Sequence, residues 1–198
     1  MKYFKRVEAV LCAVLVLCIG LNILSFGLCC REVRQDVLRL HILANSDTAQ
    51  DQELKYLVRD AVLRENGDIF DNVNTVEQAK AKAAANLEAM RQTALRTLRQ
   101  NGSNAAVEVT LEKSFFQTRY YRDFTLPAGE YEAVRIVIGN GEGHNWWCVM
   151  FPQMCLAASA ANAAENLSEE EKQLIFSDPQ FEVRFKCVEI YEKFINWL

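Results

Sequence analysis

Apolar and polar positions along this chain change their spacing several times, and each change marks an element. Ala9 to Cys30 is one uninterrupted uncharged run, long enough to cross the roughly 30 Å hydrocarbon layer as a helix. From Val37 to Ala44 the period becomes two. Leu38, Leu40, Ile42 and Ala44 share one side, while Val37, Arg39, His41 and Leu43 share a mixed one. That predicts a strand with one core face and one less buried face, His41 pointing away from the core beside Arg39. Asn45, Ser46 and Asp47 end it, and each can cap the helix that follows, since a short side-chain oxygen accepts from its free N–H groups.

That helix carries Leu54, Leu57, Val58, Ala61 and Val62 on one stripe, with Asp51, Lys55, Arg59 and Asp60 elsewhere, and stops near Asn66–Gly67. A second begins at Thr75, with Gln78 three residues on as a capping box. Its stripe runs through Val76, Ala79, Ala83, Leu87, Met90, Ala94 and Leu98 to about Gln100. Three extended segments follow: Val107 to Glu112 with aromatic residues after it, Glu130 to Ile138, and Trp146 to Phe151. Leu126–Gly129 and Gly139–Gly143 are the turns. Ser168 opens a helix with Glu169, Glu170 and Glu171 in its first turn, where negative charge suits the helix dipole. Phe176 to Pro179 breaks it, and Val183 to Trp197 reads as a closing helix. Ala157 to Asn166 is a low-complexity loop or weak helix. The order predicts an α+β domain, an antiparallel sheet of about four strands with helices packed on one face, preceded by the hydrophobic helix.

Charge sets the direction of that leading helix. Lys2, Lys5 and Arg6 precede the apolar run, whereas Arg31 and Arg34 beyond it are offset by Glu32 and Asp36. The asymmetry keeps the N-terminus inside and sends the rest across the membrane. Residues 1–30 are thus a signal peptide or signal anchor, the latter held by residues 7–30, and 31–198 form a single extracytoplasmic domain. Ser25 and Gly27 suit a signal peptidase, but the run exceeds a usual signal-peptide core, so both fates stay open. Neither Cys29 nor Cys30 follows a convincing lipobox. A net charge of −4 without a basic stripe gives no reason to expect nucleic acid.

Three of the seven cysteines lie beyond the apolar segment: Cys148, Cys155 and Cys187. An oxidising compartment permits one disulfide. Cys148 and Cys155 are the candidate pair, provided that the chain turns near Phe151–Gln153; two buried free thiols are the alternative. For catalysis, the residues are Cys148, Cys155, His41 and His144. A strand through "HNWWC" would hold His144 about 13 Å from Cys148. Zinc lacks a close pair of ligands, and "GNGEG" precedes a strand where a phosphate loop needs a helix. No cofactor, metal or small-molecule substrate is expected. Trp146 and Trp147 must face opposite ways in a strand, and exposed aromatics make good interface anchors.

Two stretches carry a resemblance. "RLHILANSDTAQDQELKYLVRDAVL", Arg39 to Leu63, and "GEGHNWWCVMFPQMC", Gly141 to Cys155, are similar to the two signatures of the stage II sporulation protein R family. The likeness runs over about Gln35 to Ile195, behind an export segment. The family tends to have a second proline and a leucine where this chain has Gln153 and Met154, which leaves the bend before Cys155 open.

The resemblance implies a protein made in the forespore and exported across its membrane into the intermembrane space. There it would activate a membrane-embedded aspartic protease of the mother cell that processes a pro-sigma factor of the sigma E type. It would be a signal and no enzyme, and no catalytic residue is carried over. A candidate partner-binding surface is Arg39, His41, Asn45, Asp47, His144, Asn145, Trp146 and Trp147, if the end of the first strand lies near the glycine loop. His41 is a residue type that titrates near neutral pH. The alternative from another class is an extracytoplasmic Cys–His hydrolase acting on the cell envelope or a receptor.

Overall fold

In the computed structural model, residues 2–121, 124–152, 167–176 and 182–195 are described. The leading helix α1 (Lys2–Gln35) runs without a break from the apolar segment into the domain. The strand β1 (Leu38–Leu43) follows after two residues. Next come α2 (Ala49–Asn66), a 3-10 turn (Gly67–Phe70), α3 (Val76–Ala85) and α4 (Leu87–Gln100). The strands β2 (Val107–Phe116), β3 (Arg119–Tyr120), β4 (Thr125–Leu126), β5 (Gly129–Ile138) and β6 (Asn145–Phe151) come next. The helices α5 (Glu169–Ile175) and α6 (Glu182–Ile195) end the described chain. Ala157 to Asn166, Cys155 and Pro179 lie outside the described residues.

Four strands form the main sheet in the order β2-β5-β1-β6. The sheet is mixed, which corrects the antiparallel expectation. β1 pairs with β5 in parallel and with β6 antiparallel, and β2 with β5 antiparallel. The reason is topological. The glycine loop reverses the chain between β5 and β6, yet β1 occupies the place between them. A strand flanked by two opposed neighbours must run parallel to one of them. β3 and β4 make a separate small hairpin.

One face of the sheet packs on α2, α3 and α4. Leu38, Leu40 and Ile42 of β1 meet Leu54, Val58 and Val62 of α2 there, together with Ala79, Ala83, Met90, Ala94 and Leu98. Each large aliphatic side chain fully buried in such a layer contributes about 1.5–3 kcal/mol. The apolar stripe expected from Val76 to Leu98 is present, but the helix breaks at Asn86, whose side-chain amide donates to the Lys82 carbonyl 2.8 Å away. An asparagine offering its own hydrogen bond competes with the helical ladder. At the other end Thr75 accepts from the Gln78 N–H at 3.3 Å, and the Gln78 side chain reaches back to the Asn74 N–H.

The other face of the sheet is covered too, unlike the one-sided layering expected. Phe26, Cys30 and Val33 of α1, Leu174 and Ile175 of α5, and Phe185 of α6 form a second cluster with Val37, Tyr131, Ala133 and Val149. β1 is therefore a central strand covered on both faces, as strands in parallel pairings commonly are. Ser168 caps α5 in a full capping box with Glu171.

Asp36, at the junction of α1 and β1, faces Glu171. Partial burial of its carboxyl, and then the Glu171 carboxylate, push its pKa up to about 6. A carboxyl that holds its proton more tightly when folded favours the fold below pH about 4, and that contribution fades as pH rises through 6. Asp36→Asn should therefore melt higher than the parent at pH 7, with the gain vanishing below pH 4. A melting-temperature difference independent of pH would contradict the pairing.

Candidate functional site

β1 leaves α1 and carries the chain about 20 Å, at about 3.3 Å per residue, to the opposite end of the sheet. There the loop after β1 meets the glycine loop between β5 and β6, as the candidate surface required. Gly143 N–H donates to the Ala44 carbonyl at 2.9 Å, and the Asn140 N–H to Asn45 Oδ1 at 3.1 Å. The approach is close enough to demand glycine. At Gly139, with φ of 58°, a methyl group would meet the Asn45 side chain, its Cγ at 2.7 Å.

Asn45, Ser46 and Asp47 are not the helix cap expected of them. Thr48 caps α2, accepting the Asp51 N–H at 3.2 Å through its hydroxyl. The three residues before it instead join the loops. Asn45 donates to Asp51 Oδ2 at 2.9 Å, and the Ser46 hydroxyl donates to the same oxygen at 2.5 Å. These donors, Ser46 first, hold the Asp51 carboxyl below its ordinary pKa. Asp47 Oδ1 accepts the His144 N–H at 2.6 Å and also contacts His144 Nδ1. The His144 backbone N–H, then its ring, lower the pKa of Asp47, so it is a carboxylate at neutral pH.

Beneath this rim lies Lys55, only 1% exposed, donating to the Gln52 side chain at 2.6 Å and to the His144 carbonyl at 2.8 Å. Burial lowers its pKa. Sequence reasoning put Lys55 on the outer side of the helix. Its signal was present, for Lys55 stands in the row Asp51, Lys55, Val58, Val62, which turns from apolar to polar as α2 approaches the loops.

The remaining candidates separate into two faces. Trp147 stacks on His41, ring centres 3.9 Å apart and planes 12° from parallel. His41 Nε2 lies 3.1 Å from Asn145 Oδ1. Burial of His41 lowers its pKa, which makes it a neutral ring at pH 7 rather than a titrating contact. Arg39, 0% exposed, lies over Phe116 at 4.0 Å and near Tyr131 at 4.9 Å, and donates to the Tyr121 hydroxyl at 2.5 Å. Tyr121 in turn donates to the Trp147 carbonyl at 3.3 Å. Trp146 faces the other way, against Arg59 at 4.5 Å and Tyr56 at 5.4 Å.

The exposed rim therefore consists of Asp47, His144 and Asn145, with Asn45 half-buried behind it. Arg39 and His41 are corrected from surface to support: they fix β6 from beneath. Periodicity could not reveal this, because their covering aromatics come from β2, the segment around Tyr121 and β6, all distant in sequence.

Chemically, the rim offers a carboxylate, an imidazole and an amide on a backbone braced by glycine. Cys148 is buried on the Leu40 side of the sheet, whereas His41 is on the other. The cysteine–histidine pair of a hydrolase is thus not assembled between these two. The free thiols among the described residues are Cys12, Cys18, Cys29, Cys30 and Cys187. Cys155, the expected partner of Cys148, lies outside the described residues. Among the described residues no three His, Cys, Asp or Glu side chains gather as a metal would need.

Comparison with known proteins joins these observations. The model of the family "Stage II sporulation protein R" matches residues 34–161, which include both loops of the rim and every candidate residue. Stage II sporulation protein R of Bacillus subtilis (strain 168) is 38% identical over 141 residues, 71% of this chain and 62% of that protein. The match thus spans less than two thirds of the relative's length. No solved structure matches. The chain belongs to the stage II sporulation protein R family, a family of sporulation proteins.

Proposed function

We propose that this protein is an exported intercellular signal which, by contact, activates a membrane-embedded aspartic protease of the mother cell that processes a pro-sigma factor. Family membership supports the sporulation role. The observation that carries the signalling reading is the braced rim. Asp47, His144 and Asn145 are presented to solvent on a rigid base at the end of the sheet remote from the junction with α1. Among the described residues, only α1 is long and apolar enough to cross a membrane, and it would deliver the domain to the far side of the bilayer. The disulfide between Cys148 and Cys155 belongs to the same proposal, as the staple of an exported domain.

A contact signal works only if it prefers the receptor's active state. Moving a receptor from 1:99 to 99:1 takes about 5.5 kcal/mol of differential affinity. A preformed rim loses little entropy on binding and leaves more of its contact energy for that preference.

The test is reconstitution in a non-sporulating host that expresses the exported chain, the protease and its sigma-factor precursor. Cleavage is expected only when all three are present. His144→Ala, at an exposed position, keeps the backbone bonds of its loop and should leave stability within about 0.5 kcal/mol. Asp47→Ala removes the acceptor of the His144 N–H and should lower the melting temperature with the chain still folded. Each should cut precursor cleavage roughly tenfold, a loss of about 1.4 kcal/mol of receptor preference. Cleavage of the precursor without this chain, or none with it, would defeat the reading. Folded Asp47 and His144 variants that trigger normally would remove the rim from it.

A further inference from the structure

Helix α6 has three sides, and among the described residues two of them have partners within the domain. Phe185 and Val188 turn inward, Phe185 meeting Phe26 of α1 edge-on at 5.4 Å, and Glu192 on the same side pairs with Arg34 at 3.2 Å. A second side is charged: Lys186 and Lys193 pair with Glu189 at 3.0 and 3.1 Å. The third side carries Cys187, Ile190, Tyr191 and Phe194. Ile190, Tyr191 and Phe194 are 65%, 62% and 56% exposed. Large apolar side chains grouped on one helix face in contact with water mark an interaction surface.

What covers this face follows from its neighbour. Cys187 and Tyr191 line a groove with Cys18, Ile19, Ile23 and Gly27 of α1. Along that stretch α1 exposes Ile19, Leu21, Ile23 and Leu24, and this is the helix with the length and composition to cross a membrane. The outer face of α6 is thus continuous with the surface that α1 would present to lipid. An apolar face flanked by a charged one, with tyrosine and phenylalanine on the apolar side, is the pattern of a helix lying in the headgroup region.

We propose that α6 is an interfacial helix. Its Ile190–Tyr191–Phe194 face is seated among the acyl chains where α1 leaves the bilayer, and Lys186 and Lys193 lie toward the headgroups. The tether would then be two helices rather than one. α6 would fix the tilt of the domain, and with it the direction in which the rim at the far end of the sheet points. The occupant is the bilayer itself, because one wall of the groove is the stretch of α1 from Cys18 to Leu28, which lies within the helix long and apolar enough to cross a membrane.

The test uses the full chain in vesicles of phosphatidylethanolamine and phosphatidylglycerol. The photo-crosslinking residue benzoylphenylalanine is placed at Tyr191, at Phe194 or, as control, at Tyr56, which is 40% exposed on α2. Positions 191 and 194 are exposed aromatics, and Tyr56 keeps its ring at the surface while packing edge-on to Trp146 at 5.4 Å, so the melting temperature of each substituted chain is read beside its adducts. Lipid adducts read by mass spectrometry should be about tenfold more abundant at positions 191 and 194 than at 56, as expected for a face inserted among acyl chains. Equal yields at the three positions would overturn the proposal. So would crosslinks from 191 and 194 to a second copy of the chain in place of lipid, which would make this face a contact between copies.

Discussion

Gly143→Ala should unfold the loop end of this domain's sheet at temperatures where the parent is intact. A methyl group at Gly143 would lie 2.6 Å from the Ser46 carbonyl carbon and 2.9 Å from Ala44 Cβ, in direct conflict with the Ser46 carbonyl oxygen as well. These are mainly backbone atoms of the opposing loop, so no flexible side chain can swing aside. Relief requires parting the two loops. That breaks the Gly143 bond to the Ala44 carbonyl and the His144 bond to Asp47, and removes the carbonyl that holds Lys55. A buried lysine losing one of its acceptors is costly in its own right. Taken together, the substitution should cost about 2–4 kcal/mol, or about 10 °C in melting temperature for a domain of this size. Glu142→Ala, one residue away and exposed, should change stability by no more than about 0.5 kcal/mol. Urea titrations of the two variants beside the parent decide the matter. Similar midpoints for all three would show that the loops do not brace one another.

The parts of this architecture legible in the sequence were those set by local period. The alternation from Leu38 to Ala44 and the Leu54–Val62 stripe both reappear as buried faces, because neighbouring residues along one element decide them. The opposite orientation of Trp146 and Trp147 followed from the same rule. The meeting of the Asn45–Asp47 loop with Gly139–Gly143 was required by the candidate surface but had no local cause. It depends on β1 inserting between β5 and β6, a pairing that no stretch of sequence dictates alone. The same insertion made the sheet mixed.

Burial of the second face escaped the reading for a related reason. Arg39 and His41 on alternate positions look like a solvated edge, since charge and imidazole usually mark one. Only the tertiary fold brings Phe116, Tyr121, Tyr131 and Trp147 over them. The boundary placed after Cys30 was likewise a matter of composition. In the fold, Phe26 and Cys30 already belong to the second cluster. A cut after Gly27 would take Phe26 from its contact with Phe185.

Arg39 carries the other large expected effect, and it discriminates between two ways of holding a buried cation. Its guanidinium sits on aromatic faces and bonds a hydroxyl and, at 3.5 Å, the Cys148 carbonyl. One of its terminal nitrogens, Nη1, has no hydrogen-bond partner among the described residues, and burial lowers the pKa of the group. Dehydrating a charge works against folding, while the packing of the long side chain and the cation–π contact work for it. Arg39→Ala removes the packing along with the charge and leaves a cavity between Phe116 and Tyr131, so it should cost about 3–5 kcal/mol. Arg39→Met keeps most of the volume and removes the charge together with its hydrogen bonds to the Tyr121 hydroxyl and the Cys148 carbonyl. It should stay within about 1 kcal/mol of the parent, because the desolvation penalty disappears with the cation–π gain. Tyr121 keeps its bond to the Trp147 carbonyl in either case. Denaturation midpoints for the two variants separate the contributions. If the methionine variant falls as far as the alanine one, the charge and its hydrogen bonds hold β6 in place. If it stands while precursor cleavage is lost, Arg39 sets the position of Trp147 and the rim above it without being needed for folding.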